Sequence, residues 1–191
     1  DIVSKLKHAG AFVAMKTNTH EYAYGAVTPP TRNPWDFSKI PGGSSGGSAA
    51  ATSSGIVLAS LGSDTAGSIR EPAALCSVVG FKPTYNWTSL TGVVPLAWSL
   101  DVVGPITKTI TDCATIFKAL STNYLNEEVT SSENKYKLGI LSEYFSPMQQ
   151  KISNAYLQSI ENLETCFECE RVSSWDVDEV ISTIFVILTS E

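Results

Sequence analysis

Three serines, Ser44, Ser45 and Ser68, sit in two glycine-rich clusters inside the stretch from Pro41 to Pro83, PGGSSGGSAAATSSGIVLASLGSDTAGSIREPAALCSVVGFKP. A flexible Gly/Ser linker would read similarly in composition. This stretch instead interleaves its clusters with apolar segments. Ile56–Leu61 and Val78–Phe81 read as buried strands, and Ala49–Ala51 continues the first cluster into a helix. Glycine-rich turns between buried elements are places where backbone N–H groups converge on a ligand. A serine there is a candidate nucleophile, provided that a base takes its proton and donors receive the charge that develops on the attacked group. Small Ala66 and Gly67 before Ser68 let the backbone come close to a substrate. The alternative for Ser68 is a helix N-cap before Ile69-Arg70-Glu71, and one residue can serve both roles, because a helix N-terminus also favours an oxyanion.

No Ser-His-Asp triad assembles from this sequence. The histidines are His8 and His20, and only His20 lies near a motif. The motifs PGGSSGGSAAA, GSDTAGSIREPAALC and GFKPT, in this order and spacing, resemble the amidase signature hydrolases, serine enzymes that cleave carboxamide C–N bonds. The resemblance extends to KTNTHEYAYG (Lys16 to Gly25) and GVVPLAWSLDVVGPIT (Gly92 to Thr107), strongly over 11–120 and more weakly over 121–191. It implies Ser68 as the nucleophile and Ser44 as the proton relay after a cis Gly43–Ser44 peptide. It places the oxyanion hole on the N–H groups of Thr65, Ala66, Gly67 and Ser68. Gly43, Ser45, Asp64 and Arg70 would support these loops, and His20 would line or support the site. The family's general base is a lysine kept neutral by its site, upstream of the KTNTHEYAYG segment. Lys16 follows an apolar segment, but its neighbours match the later segment, so it reads as structural. The chain is therefore expected to be a fragment lacking both ends of the family domain, with impaired activity. Two small departures stand out: Ala66 and Asn86 occupy positions where the family has glycine. Asn tolerates a left-handed backbone, so the second turn can survive.

The resemblance implies an α/β fold: a mixed, largely parallel sheet flanked by helices, here one partial amidase domain over 1–191. It implies an amidase acting through a Ser68 acyl-enzyme on a small-molecule amide, with no cofactor and no metal. Two alternatives remain open. One is the glutaminase-type component, the A subunit, of a tRNA-dependent amidotransferase, which would need partner subunits. The other is a non-catalytic remnant or interaction protein of the same fold. Both serines are expected on adjoining loops, their hydroxyls within or near hydrogen-bond reach.

The remaining elements must position these loops. The 191 residues suffice for one domain with a sizeable core, and 43% apolar with 17% charged residues is a globular composition. The net charge of −6 without a basic run argues against direct nucleic-acid binding. No apolar run reaches the length of a membrane span, and the charged and polar opening DIVSKLKH is not expected to be a secretory leader. A cytoplasmic location is expected, or a mitochondrial one if the chain belongs to an organellar amidotransferase. Cys76 and Cys113 read as buried free thiols. Cys166 and Cys169 have metal or redox spacing but no second ligand pair.

Asp1–Ala9 reads as a helix closed by Gly10, and Ala11–Met15 as a short buried strand. A short helix is expected over Glu21–Gly25. Thr28–Pro41, broken by four prolines, reads as a loop anchored by Trp35 and Phe37. Thr109–Leu120 reads as a helix with Thr109 or Thr111 as N-cap. The polar stretch from Ser121 to Lys137 is the best linker candidate and reads as a surface excursion within one domain, because a strand and helices follow directly. Then come a strand at Leu138–Leu141, an amphipathic helix at Pro147–Leu163, a strand at Cys166–Val172 and an apolar helix at Val177–Leu188. That last helix is expected to leave apolar surface uncovered.

Overall fold

The computed structural model describes residues 1–121, 137–141, 149–173 and 176–191. Most of the linker and the start of the Pro147 helix fall outside them. The chain divides into two compact units, Asp1–Leu125 with Leu188–Glu191, and Asn126–Ile187.

The first unit carries the motifs. Helix α1 (Ile2–His8) ends at Ala9, and Gly10 comes next with φ 93°, the left-handed turn that a helix C-terminus favours in glycine. Helix α2 (Gly46–Ser53) leads to strand β1 (Ala59–Asp64), helix α3 (Arg70–Leu75), strand β2 (Val79–Gly80), strand β3 (Val102–Thr107) and helix α4 (Ile110–Leu120). β3 is the centre of a three-stranded sheet, buried along its whole length, with β1 and β2 on either side. β1 pairs from Ala59↔Thr107 to Asp64↔Val102, and β2 at Val79↔Thr107. The mixed α/β class holds, but both pairings are antiparallel, so the larger sheet is not largely parallel. β1 and β2 share a direction yet meet only through β3, which returns between them.

Caps and small-residue packing explain the helices. Thr109 caps α4 by accepting the Asp112 N–H at 3.1 Å. Ala49 of α2, Ile69, Ala73 and Cys76 around α3, and Ile106 of β3 form one core cluster; Ile2, Val103 and Leu120 form another. Gly80 lies so close to α3 that a Cβ would sit 2.6 Å from Ala73 Cβ.

Several expectations need correction. Ala11–Met15 is not a buried strand: it has no assigned secondary structure, and Phe12 is 86% exposed. The strand expected at Ile56–Leu61 begins only at Ala59, with Leu58 91% exposed, because pairing with β3 sets its bounds. The helix at Glu21–Gly25 shrinks to a 3-10 turn, Glu21–Ala23, in which Tyr22 and Ala23 have φ of 53° and 59°. Trp35 and Phe37 do not insert into the core; both rings are exposed. Trp35 holds its loop through polarity, Nε1 donating to the Cys76 carbonyl at 2.9 Å.

In the second unit β4 (Lys137–Leu141) pairs in parallel with β5 (Glu168–Val172), and α5 (Gln150–Glu164) connects toward β5. Lys137 bridges Glu168 at 3.0 Å across the pair. α6 (Val177–Ser190) comes last, with Val180, Ile181, Phe185 and Val186 exposed. Among the described residues no helix is long and apolar enough to cross a membrane.

Candidate active site

The first serine turn is built from backbone. Gly42, with φ 86°, lies against α3: a Cβ there would be 2.8 Å from Pro72 Cα. The Cys76 thiol donates to the Pro41 carbonyl at 3.4 Å. Gly43 packs on residues 25–27, where a Cβ would meet the Gly25 carbonyl oxygen at 2.6 Å. Gly47 meets the Asn18 backbone with no room for a side chain and donates its N–H to the Asn18 carbonyl at 3.1 Å. The KTNTHEYAYG segment and the residues just after it thus clamp the first glycine cluster. The His20 N–H donates to the Ser44 carbonyl at 3.0 Å, so His20 supports the turn through its backbone. Thr28 Oγ1 donates to the Gly42 carbonyl at 2.9 Å. The Gly43–Ser44 peptide is cis, as expected.

Ser44 is buried, yet its hydroxyl has no hydrogen bond among the described residues. Every fully enclosed side-chain polar atom described is paired, so the residual exposure of Ser44 lies at Oγ. Ser45 turns inward: its Oγ donates to the Ser63 carbonyl and accepts the Ser63 N–H, both at 3.3 Å.

The second serine turn, residues 65–68, leaves the end of β1. Asp64, fully buried, holds its far side. Asp64 Oδ2 accepts the N–H groups of Ile69 and Arg70 at 3.2 and 3.3 Å, and Arg70 Nε and Nη2 close a bidentate pair at 2.9 Å each. Burial by itself would raise the Asp64 pKa. The Arg70 hydrogen bonds and charge, with the two backbone donors, override it and hold the pKa below the ordinary 3.8. Ser68 is half-buried, and its hydroxyl has no partner among the described residues. The N–H groups of Ala66, Gly67 and Ser68 likewise find no acceptor among them. The two turns meet where the Ser45 N–H donates to the Ser68 carbonyl at 3.2 Å. The serines therefore lie on adjoining loops, but no hydrogen bond joins their hydroxyls.

Two carboxyls at this site belong to no role expected from the sequence. Glu71, in the first turn of α3, faces the Gly43 N–H; burial raises its pKa above 4.5 and the N–H partly offsets this. Asp101, which is buried, accepts from Thr65 Oγ1 at 2.5 Å and from the Leu96 and Ala97 N–H groups at 2.8 and 3.1 Å. Asp101 lies within the GVVPLAWSLDVVGPIT segment, immediately before β3, and that position was its only signal.

Among the described residues no lysine hydrogen-bonds to the Ser44 or Ser68 hydroxyl. Lys16 lines an open cleft of about 620 Å³ with Met15, Trp35, Phe37, Ala50 and Ile56, and neither Ser44 nor Ser68 lines that cleft. Cys76 and Cys113 are buried thiols, as expected, and burial pushes Cys76 up to about 11. Cys166 and Cys169 are free.

The amidase family model matches residues 1–191. The A subunit of the glutamyl-tRNA(Gln) amidotransferase of Thermotoga maritima is 41% identical over 212 aligned residues, which cover 100% of this chain and 44% of that protein. The crystal structure of the Thermotoga maritima A subunit superposes with a TM-score of 0.89 at 40% identity, covering 99% of this chain and 46% of its own. The native peptide amidase of Stenotrophomonas maltophilia superposes with a TM-score of 0.76 at 27% identity, covering 90% and 41%. The chain spans less than half the length of the curated relatives it matches. With a family match over its whole length, turns of this geometry and relatives of this identity, the chain belongs to the amidase family, the amidase signature hydrolases.

Proposed function

We propose that this chain carries the nucleophile and relay of an amidase site and acts on carboxamides within a longer protein. We read 1–191 as part of one amidase domain. Ser68 Oγ attacks the amide carbonyl carbon, and its proton passes through Ser44 toward a base. The C–N bond then breaks, ammonia leaves with a returned proton, and the acyl group stays on Ser68 as an ester that water hydrolyses to the acid. The N–H groups of Ala66, Gly67 and Ser68, with Thr65 at the turn's entry, receive the oxyanion. Each such donor is typically worth ~10²–10³ in rate. The observation that carries this reading is the junction of the turns: among the described residues the Ser68 hydroxyl and the N–H groups beside it have no partner, and the Ser44 turn is held against Ser68 through Ser45.

The base belongs, in this reading, to residues outside the chain, since a serine hydroxyl is itself a very weak base. General-base assistance is typically worth ~10²–10⁴, so the chain alone is slow. The amide of glutamine is one substrate to test first, because several relatives are named as the A subunit of a glutamyl-tRNA(Gln) amidotransferase; that role would require partner subunits.

The experiment is ammonia release from simple carboxamides and from glutamine. It compares the chain, Ser68→Ala, Lys16→Ala and a version extended to the length of the relatives. Activity in the extended version that Ser68→Ala abolishes supports the proposal. Robust activity of the short chain that Lys16→Ala abolishes would make Lys16 the base. Absence of activity in every version favours the non-catalytic scaffold.

A further inference from the structure

The turn that presents Ala66, Gly67 and Ser68 lies beyond the last rung of the β1–β3 ladder, Asp64↔Val102. Among the described residues no ladder bond restrains it, although the Gly67 and Ser68 carbonyls accept the Glu71 and Ser45 N–H groups at 2.7 and 3.2 Å. Its exit is fixed by Asp64 through the N–H groups of Ile69 and Arg70. Its entry is fixed on the neighbouring strand, one residue before Val102. There Asp101 accepts the Thr65 hydroxyl on Oδ1, while Oδ2 is held by the Leu96 and Ala97 N–H groups. Two buried carboxylates on adjacent strand ends thus hold opposite ends of one turn.

We propose that Asp101 is a positioning residue for the oxyanion turn, acting through Thr65; this rests on the reading of 65–68 as the oxyanion site. Asp101 touches no reacting atom. Its two backbone bonds close its own 96–101 loop, and a residue serving that loop alone would need only them. The third bond is different in kind. It ties a side chain of the turn to a buried carboxylate whose orientation the other two have fixed. A hydroxyl donating to a carboxylate makes a short, charge-assisted bond. Between two anchored ends, three successive N–H groups can point at one spot without any bond among themselves.

The test separates the turn from the loop. Thr65→Val removes the hydroxyl and leaves both loop bonds of Asp101 intact; Thr65→Ser keeps the hydroxyl. In the ¹⁵N-labelled chain, the Ala66, Gly67 and Ser68 amide signals should shift or broaden in Thr65→Val and in Asp101→Asn. They should return toward wild type in Thr65→Ser, while the Leu96 and Ala97 signals move only in Asp101→Asn. If Thr65→Val does not fold, Thr65→Ala gives the same reading without a methyl against the carboxylate. Where the extended version hydrolyses amides, loss of the hydroxyl should lower kcat by about tenfold to a hundredfold with KM little changed, the scale of a misplaced reacting group. Thr65→Ser should recover most of that loss. Unchanged 66–68 amides in a folded Thr65→Val protein would overturn the proposal, as would an effect confined to KM. If no version hydrolyses amides, the proposed function fails by itself, and the amide signals still decide this point.

Discussion

The two serine turns are held by different balances of packing and hydrogen bonding. The first, around Ser44, is enclosed: residues 41–50 are all buried, and backbone from the 18–28 segment presses on it where any side chain would collide. The second, around Ser68, is open in its middle, with Ala66 exposed, and is held at its two ends by Asp64 and Asp101. The relay proposed for Ser44 needs only to stay in place, which close packing favours. The proposed nucleophile must meet a substrate, so its hydroxyl stays uncovered, and its turn is fixed at the ends and through the Ser68 carbonyl. Close packing with neutral hydrogen bonds from His20 and Thr28 secures the first turn, whereas the second relies on hydrogen bonds, those at its ends to buried charge.

The comparison breaks most readily at Gly43. Gly43→Ala would drive a Cβ into the Gly25–Val27 backbone, which has no flexible side chain to yield. The expected loss is about 3 kcal/mol or more, beyond ordinary overpacking. Denaturant unfolding would read it, and a wild-type midpoint would mean that the first turn is not secured by packing.

At the second turn Asp64→Ala removes the acceptor of two backbone N–H groups and strands them beside Ser68. The expected cost is about 2–3 kcal/mol, with amide hydrolysis in the extended protein lost. The pH dependence sharpens this. The folded pKa of Asp64 lies below the unfolded 3.8, so the folded state holds this proton less tightly. Its contribution is present above the unfolded pKa and is lost as pH falls through the folded one. Asp64→Asn should therefore flatten the acid limb of a stability-versus-pH curve. An unchanged limb would remove the carboxylate from the account.

Cys76, bonded to the Pro41 carbonyl, probes whether the first turn opens. With its pKa pushed up to about 11 from 9.0, Cys76 should react with iodoacetamide ~10²-fold more slowly than an ordinary exposed thiol, Cys166 serving as the internal reference. Mass spectrometry of the native protein would show the order, and comparable labelling of both would contradict the enclosure. The smallest effect is expected from Glu71→Gln. The folded pKa of Glu71 is raised, so its contribution is full below 4.5 and fades as pH rises through the folded value. Gln does not titrate, and the variant should gain slightly on wild type between acid and neutral pH; thermal melts at both ends would register a constant difference if this is wrong.

Much of the fold could be read locally. Thr109 with Asp112 marks the start of α4, and Gly10 marks the end of α1, because caps depend on residues a few positions apart. The apolar run Ala11–Met15 misled for the complementary reason: being strand-like in composition does not supply a partner strand. The start of β1 moved to Ala59 because its register comes from β3, more than forty residues later in the chain. The site divides the same way. Ser44, Ser68, Asp64 and Arg70 fall within contiguous motifs, whereas Asp101 reaches Thr65 only after β1 and β3 have paired.

Tyr22 and Ala23 add a different consequence. Two successive residues with side chains sit in the left-handed region, a conformation that costs of order 1–3 kcal/mol for each such residue. They lie just beyond His20, whose N–H holds the Ser44 carbonyl. The segment is thus a loaded spring, kept wound by its seat on the first turn. Replacing Ala23 by glycine would remove part of that cost, so the seated turn, and the protein with it, should gain stability while the His20 bond to the Ser44 carbonyl stays in place.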